Sequence, residues 1–314
     1  MVGMPISSQA IISSPERRWF SSGRAALVAI MEQAQITGRL WLPSIYCWPV
    51  VRTIRNRFPR LAIAMYPVGR DLAPRYPTSD SEADLLLIPH YFGYHSMEPA
   101  TWSGRTIHDL SHALLAPPNV RTGSWRFASC RKLFPVADGG MLIGDVEADY
   151  GAEDRRWIQA RRHATSWQEM RAAENLLDDA TTFGDISSAS LELILGSDLG
   201  ALAEQRRFRE AWMRRELLAG VATRDFQANE CAAAHVRTFS SRDERDEFWK
   251  HMATRGVFLS RQWEWQPLEC VAAGDTHDAI WWAEHHLVFP LGAHLDDSQI
   301  GYIISTANDW RAKS

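Results

Sequence analysis

Along its first half the chain alternates short apolar runs with helix-like stretches. Residues 24–36 (RAALVAIMEQAQI) follow Ser21–Ser22–Gly23, residue types that cap and turn, so a helix is predicted there. A short strand at Arg39–Leu42 ends at Pro43, a second helix covers Val50–Asn56, and a strand runs Leu61–Tyr66. Leu85–Pro89 is a continuous apolar run of the kind found in buried parallel strands. Thr106–Asp109, Arg126–Ser129 and Gly140–Ile143 are further short strands. Alternation of this type predicts an α/β layer with a mostly parallel central sheet and helices on both faces.

From about Asp149 the texture changes. Residues 153–182 and 186–219 are rich in Ala, Glu, Arg and Leu and predict long helices, with apolar residues at helical spacing over Ala201–Leu218. Beyond Ala222 the pattern shortens to a strand at His235–Phe239, a helix over Ser241–Arg255 and strands at Val257–Ser260 and His286–Pro290, closed by a helix over Asp296–Ala307. Ser240 and Asp243 resemble a capping box with Asp in place of Glu. A length of 314 residues is long for one compact core. The expected organisation is a large α/β domain over 1–205 and a smaller C-terminal α+β domain over 206–314.

Composition narrows the classes of partner. With 46% hydrophobic and 23% charged residues and a formal net charge of -4, the chain gives no reason to expect nucleic acid or an anionic membrane. The basic clusters Arg52–Arg60 and Arg206, Arg207 and Arg209 read as solvated helix faces. Cys47, Cys130, Cys231 and Cys270 are widely spaced without a CxxC pair, so neither a disulfide framework nor a metal site is expected, and a reducing compartment fits. The first residues, MVGMPISSQAIISS, lack the basic start and long apolar run of a signal peptide, and no apolar stretch approaches the ~20 residues that span a bilayer. A soluble, cytoplasmic protein is expected. Tryptophans such as the pairs Trp263/Trp265 and Trp281/Trp282 suit a core, a pocket or a subunit interface, with interface burial the default.

Three clusters could carry chemistry. Ser21–Ser22–Gly23–Arg24 is a glycine turn opening a helix, which presents free amides and a positive dipole end to a phosphate, with Arg24 adding charge. Asp109 and His112 follow a buried strand, where ligands of open α/β sheets bind. A buried carboxylate there needs a cationic partner, such as a protonated pyridine nitrogen. Ser129, Arg131 and Lys132 sit just past another strand: the hydroxyl suits a phosphate, and a lysine beside a cation can serve as an imine former.

Taken in order, these segments resemble the DegT/DnrJ/EryC1/StrS group of fold-type I pyridoxal-phosphate enzymes, the sugar aminotransferases. SSGRAAL stands for the family's Ser-Gly-Thr-x-Ala-Leu, Leu42–Pro43–Ser44–Ile45–Tyr46–Cys47–Trp48 for its Pro-Ser-x-x-aromatic, and Pro89–His90–Tyr91–Phe92–Gly93 for its His-x-aromatic-Gly segment. Asp109–Leu110–Ser111–His112 resembles the Asp-x-x-Gln/His element, Ser129 to Gly140 the Ser…Lys…Gly-Gly element, and Pro290 to Ile300 the closing pattern. The resemblance implies the fold-type I architecture, pyridoxal 5'-phosphate as cofactor, and a homodimer with the active site at the subunit interface. It makes Lys132 the imine lysine and Asp109 the partner of the pyridine nitrogen. It assigns cofactor contacts to Ser22, Gly23, Arg24, Tyr46, Trp48, His90, His112 and Ser129. It implies transamination of a keto-sugar or similar carbonyl acceptor from a small-molecule amino donor. His90, His163 and Arg261 are candidate substrate contacts.

Several positions depart from the family pattern. Arg24 replaces a small hydroxyl residue, and Cys47 falls where an aromatic stacks on the pyridine ring, so Tyr46 or Trp48 would take that place. Asp185 stands near the family's Asn that reaches a neighbouring subunit's phosphate, so either it points away or the dimer contact differs. The alternatives are another pyridoxal-phosphate reaction and a fold-type I protein that binds a ligand without turnover.

Overall fold

The computed structural model describes residues 9, 12–78, 81–147, 155–180, 182–263, 277–292 and 294–311. Asp149, Trp265 and Cys270, named above, and residue 293 within the closing pattern lie outside them.

The first half builds β1 Arg17–Phe20, α1 Gly23–Ala34, β2 Arg39–Pro43, α2 Trp48–Arg57, β3 Ala62–Tyr66, β4 Leu85–Pro89, β5 Arg105–Asp109, β6 Trp125–Ser129 and β7 Gly140–Ile143. These strands form one seven-stranded sheet in the order β1-β7-β6-β5-β4-β2-β3. The strands from β3 to β6 run parallel, while β7 is antiparallel to β6 and β1 antiparallel to β7. All five residues of β4 are buried, as a strand covered on both faces requires. One face packs on α1 and α2 through Leu27, Ile30, Val51 and Ile54, and the other carries Met141, Ile143 and Ala128. The predicted α/β layer is therefore present, and only β1, whose Arg17–Arg18 start carries no apolar run, is absent from the sequence reading.

The two long predicted helices are each broken. Residues 153–182 form α3 Arg156–His163 and α4 Trp167–Asp178, and residues 186–219 form α5 Ser188–Leu195 and α6 Leu199–Glu216. The breaks fall where side chains compete for helix-end amides: Ser166 closes a capping box with Glu169, and Asp198 accepts from the Ala201 amide. Helix α6 runs across the expected boundary at 205/206. Its Leu199 and Ala203 pack beneath the large sheet, and its Met213 packs into the C-terminal cluster.

That cluster covers a three-stranded antiparallel sheet of β8 Val221–Ala222, β9 Ala234–Thr238 and β10 His286–Pro290, with α7 Arg242–Ala253, α8 His277–His285 and α9 Asp297–Arg311. Val257–Ser260 does not become a strand; only Ser260 forms an isolated bridge to Val288. The α7 cap sits one residue later than expected, at Ser241, whose side chain accepts from the Glu244 amide, while the Ser240 amide and hydroxyl bind the Glu244 carboxylate.

Burial corrects one reading. Arg206 and Arg209 are not on a solvated face; they are 2% and 1% exposed. Arg206 donates to Ala233 O at 2.7 Å, and Arg209 binds Asp297 and the carbonyls of Gly292 and Leu295, so both satisfy backbone acceptors that loop ends leave open. None of the described tryptophans with a described side chain is exposed: Trp282 is buried, and Trp263 and Trp281 are half-buried in this chain.

Candidate active site

The carboxyl ends of β2, β4, β5 and β6 and the start of α1 surround a cavity of about 240 Å³. It opens where parallel-sheet proteins place ligands, outside the carboxyl edge of the strands.

Helix α1 points its N-terminus at this cavity, and Ser22, Gly23 and Arg24 line it. Ser22 is the N-cap, its Oγ accepting from the Ala25 amide at 3.1 Å. A Cβ at Gly23 would fall 2.9 Å from both the Cβ and the amide nitrogen of Ser129, so only glycine lets the helix start approach the end of β6 this closely. Ser129 Oγ has no partner among the described residues, and its amide donates to Ser111 Oγ at 2.9 Å. The positive end of the α1 dipole and a free hydroxyl thus share one wall.

Asp109 ends β5 with both carboxylate oxygens engaged. Oδ2 accepts from the Tyr46 hydroxyl at 2.7 Å and Oδ1 from the Ser111 amide at 2.9 Å. Burial pushes the carboxyl above its ordinary pKa, against the lowering effects of the Ser111 and Tyr46 donors and the Lys132 ammonium. Lys132 ends a 3-10 turn, Cys130–Lys132, immediately after β6; it lines the cavity and remains exposed.

His112 is held neutral: burial first, then Lys132 and Arg206, lower its pKa to about 3. Its Nδ1 accepts from the Phe92 amide at 3.1 Å, which places the ring proton on Nε2, and the ring stacks on Phe92 at 5.3 Å. Phe92 occupies a turn that needs Gly93 beside it: Gly93 has φ +103°, and a Cβ there would meet the Cys231 carbonyl at 2.0 Å. His90 lines the same cavity, but both its nitrogens are committed, Nδ1 to the Ser96 amide at 3.0 Å and Nε2 to His108 Nδ1 at 3.1 Å. His108 passes the chain on to Glu98 at 2.9 Å.

The structure therefore brings Ser22, Gly23, Arg24, Tyr46, His90, Asp109, His112, Ser129 and Lys132 to one cavity. It does not bring Trp48, whose ring packs against the α1 face of the core with the Arg55 guanidinium over it at 5.2 Å. Tyr46 binds Asp109 through its hydroxyl, and Cys47 itself lines the cavity. Arg24 turns from the helix start to α4, donating to Leu177 O and Asp178 Oδ1, each at 2.8 Å. Asp185 is exposed and outside the lining, as is His163. Arg261 stays outside too, paired with Asp246 at 3.4 Å and stacked on Trp249.

Sequence reasoning missed one wall. Glu174, Leu177 and Asp178 of α4, together with Trp263, close the cavity. Glu174 binds both Arg131 and Arg161; burial raises its pKa, but those cations and Lys132 outweigh burial and hold the carboxyl below its ordinary range. The four-residue spacing of Glu174 and Asp178 was visible, yet nothing local told which chain segment that face would meet. Among the described residues, no group of three or more His, Cys, Asp or Glu side chains is placed to hold a metal.

No family model and no curated protein matches the chain in sequence. Its fold is that of solved sugar aminotransferases. The aminotransferase TlmJ from Streptoalloteichus hindustanus superposes with a TM-score of 0.65 at 18% identity, covering 98% of this chain and 90% of that one. The sugar aminotransferase CalS13 from Micromonospora echinospora does so at 0.61 and 15%, covering 95% and 89%. A DegT DnrJ EryC1 StrS aminotransferase from Brucella abortus does so at 0.62 and 13%, covering 94% and 85%. At these identities the likeness is one of fold.

Proposed function

We propose that this chain is a pyridoxal-phosphate-dependent aminotransferase that passes an amino group to a keto-sugar or similar small carbonyl acceptor. The observation that carries the reading is that one cavity, in the fold of sugar aminotransferases, joins the α1 N-terminus and Ser129 to the Asp109 carboxylate and the Lys132 amine. The donor set fits the cofactor: a glycine-lined helix start and an unpartnered hydroxyl for the phosphate, an anion for the ring nitrogen, and a primary amine for the carbonyl carbon. Bound there, the group supplies an electron sink for negative charge beside the amine-bearing carbon.

The protein's own residues have separable tasks. The α1 amides and Ser129 hold the phosphate end. Asp109 carries the charge that keeps the ring nitrogen protonated. Lys132, free of the pairs that tie Arg24 and Arg131, moves a proton to and from the substrate carbon. Neutral His112 offers an Nε2–H donor without adding a competing charge. Leu177 and Trp263 exclude water from one side.

The reading includes residues 1–205 as the cofactor domain and 206–314 as the smaller one. It also includes a homodimer that completes the site, supported by the family resemblance and checked by light scattering. A cytoplasmic location is supported by the free Cys47, Cys130 and Cys231. No described helix is long and apolar enough to cross a membrane.

The test is the visible spectrum of the protein with added pyridoxal phosphate, for the unmutated chain and for Lys132→Ala. A visible band that the variant lacks, and that bleaches with an amino donor, is expected. Absence of a band in the unmutated protein overturns the reading, and survival of the band in Lys132→Ala overturns the assignment of the lysine.

A further inference from the structure

Tyr46 has a polar task where an aromatic stacking role was expected. Its ring is 4% exposed and packed in the core cluster with Leu42 and Val51, and its hydroxyl reaches Asp109 Oδ2 at 2.7 Å. Burial, then the Asp109 charge, keeps the Tyr46 pKa well above 10, so the hydroxyl is a permanent donor. The groups around Asp109 come from four segments: Tyr46 after β2, Tyr91 after β4, Ser111 on its own loop and Lys132 after β6. Lys132 is the cation among them, and it is the group that the proposed reaction engages. While Lys132 is engaged, Tyr46 and Ser111 remain to stabilise the carboxylate.

We propose that Tyr46 is a positioning residue for Asp109: its hydroxyl fixes the carboxylate and keeps it anionic, so that a ring nitrogen bound there meets a charge instead of a neutral acid. The ring nitrogen does not have to displace Tyr46, because an ionised carboxylate accepts about four hydrogen bonds. This inference rests on the proposed cofactor for its consequence but not for its geometry.

The experiment therefore has a cofactor-free arm and a loaded arm. In the cofactor-free protein, carbon NMR of the aspartate carboxyls, assigned with Asp109→Asn, follows the Asp109 titration in the unmutated chain and in Tyr46→Phe. The phenylalanine keeps the ring and removes only the donor. The Asp109 titration moves to higher pH in Tyr46→Phe; an unchanged titration, or one displaced to lower pH, overturns the proposal. In the loaded enzyme, kcat of Tyr46→Phe at neutral pH falls roughly tenfold, with the acid limb of its pH profile moved upward and KM for the amino donor little changed. In an Asp109→Asn background, Tyr46→Phe has no further effect; an equal loss there means Tyr46 does not act through Asp109. If the unmutated protein shows no visible band, the cofactor reading fails, and the titration alone still decides whether Tyr46 holds Asp109.

Discussion

The Arg24 guanidinium, next to the helix start that opens the cavity, reaches across 154 residues of sequence to Asp178 Oδ1 at 2.8 Å and is capped there by Leu177 O. The pair is mostly buried, with side-chain exposures of 8% and 24%. Its role is to dock α4 on the cavity wall, and the apolar cluster there is small: Trp157, Ile158 and Leu177 with Ala137 packed against them. Arg24→Ala leaves the half-buried Asp178 carboxylate without its guanidinium, while Leu177 O keeps the Ala180 amide at 3.1 Å, and is expected to cost about 2–3 kcal/mol. Urea denaturation measures the cost, and hydrogen exchange across 167–178 should rise; unchanged exchange there would show that α4 docks without this pair.

Gly23→Ala tests the phosphate cradle. Its Cβ, 2.9 Å from Ser129, forces α1 and β6 apart. We expect a loss of about 1–3 kcal/mol in stability, with pyridoxal phosphate bound roughly tenfold more weakly and pyridoxal without phosphate unaffected. Equilibrium dialysis of both compounds decides it, and equal losses for the two would place the phosphate elsewhere.

Acid should unfold the protein in two stages. Burial holds His90, His108 and His112 below their ordinary pKa, His112 at about 3. Their folded values lie below the unfolded 6.5, so their contribution is complete above that pH and declines as pH falls beneath it. Each such site adds a slope of up to about 1.4 kcal/mol per pH unit. Glu98 is held at about 2; burial raises its pKa, but its hydrogen bonds from His108, Thr106 and Ser124 lower it further. Its contribution is complete above the unfolded 4.5 and is lost between that value and about 2. Thermal melts from pH 8 to pH 3 should therefore decline from near pH 6.5; a flat profile down to pH 5 would contradict neutral buried histidines.

Arg209 binds the beginning of α9 to α6 through a fork to Asp297 and two carbonyls. Arg209→Lys keeps the charge but cannot make the fork, and a loss of about 2 kcal/mol is expected, with Arg209→Ala losing more. Denaturant midpoints of the two variants give the comparison. If lysine were as good as arginine, charge alone would explain the site.

The strand-and-helix alternation up to Gly140–Ile143 was legible because it depends on local patterns: apolar runs, prolines and capping residues act within a few positions. The same holds for the chemistry-bearing segments, since Gly23, Asp109, Ser129 and Lys132 each stand at the end of an element. The sheet order, with β4 beside β2 and β7 reversed, was not visible locally, and neither were the breaks in the two long helices. What the sequence by itself determined is which elements form and which residue types stand at their carboxyl ends. What only the tertiary structure decided is what those residues touch: Tyr46 on Asp109 across 63 positions, Arg24 on Asp178, and Arg209 inside instead of outside. The physical reason is range. Propensity and capping are local free energies, whereas the pairing of a buried charge depends on where distant backbone and carboxylates arrive once the core has closed.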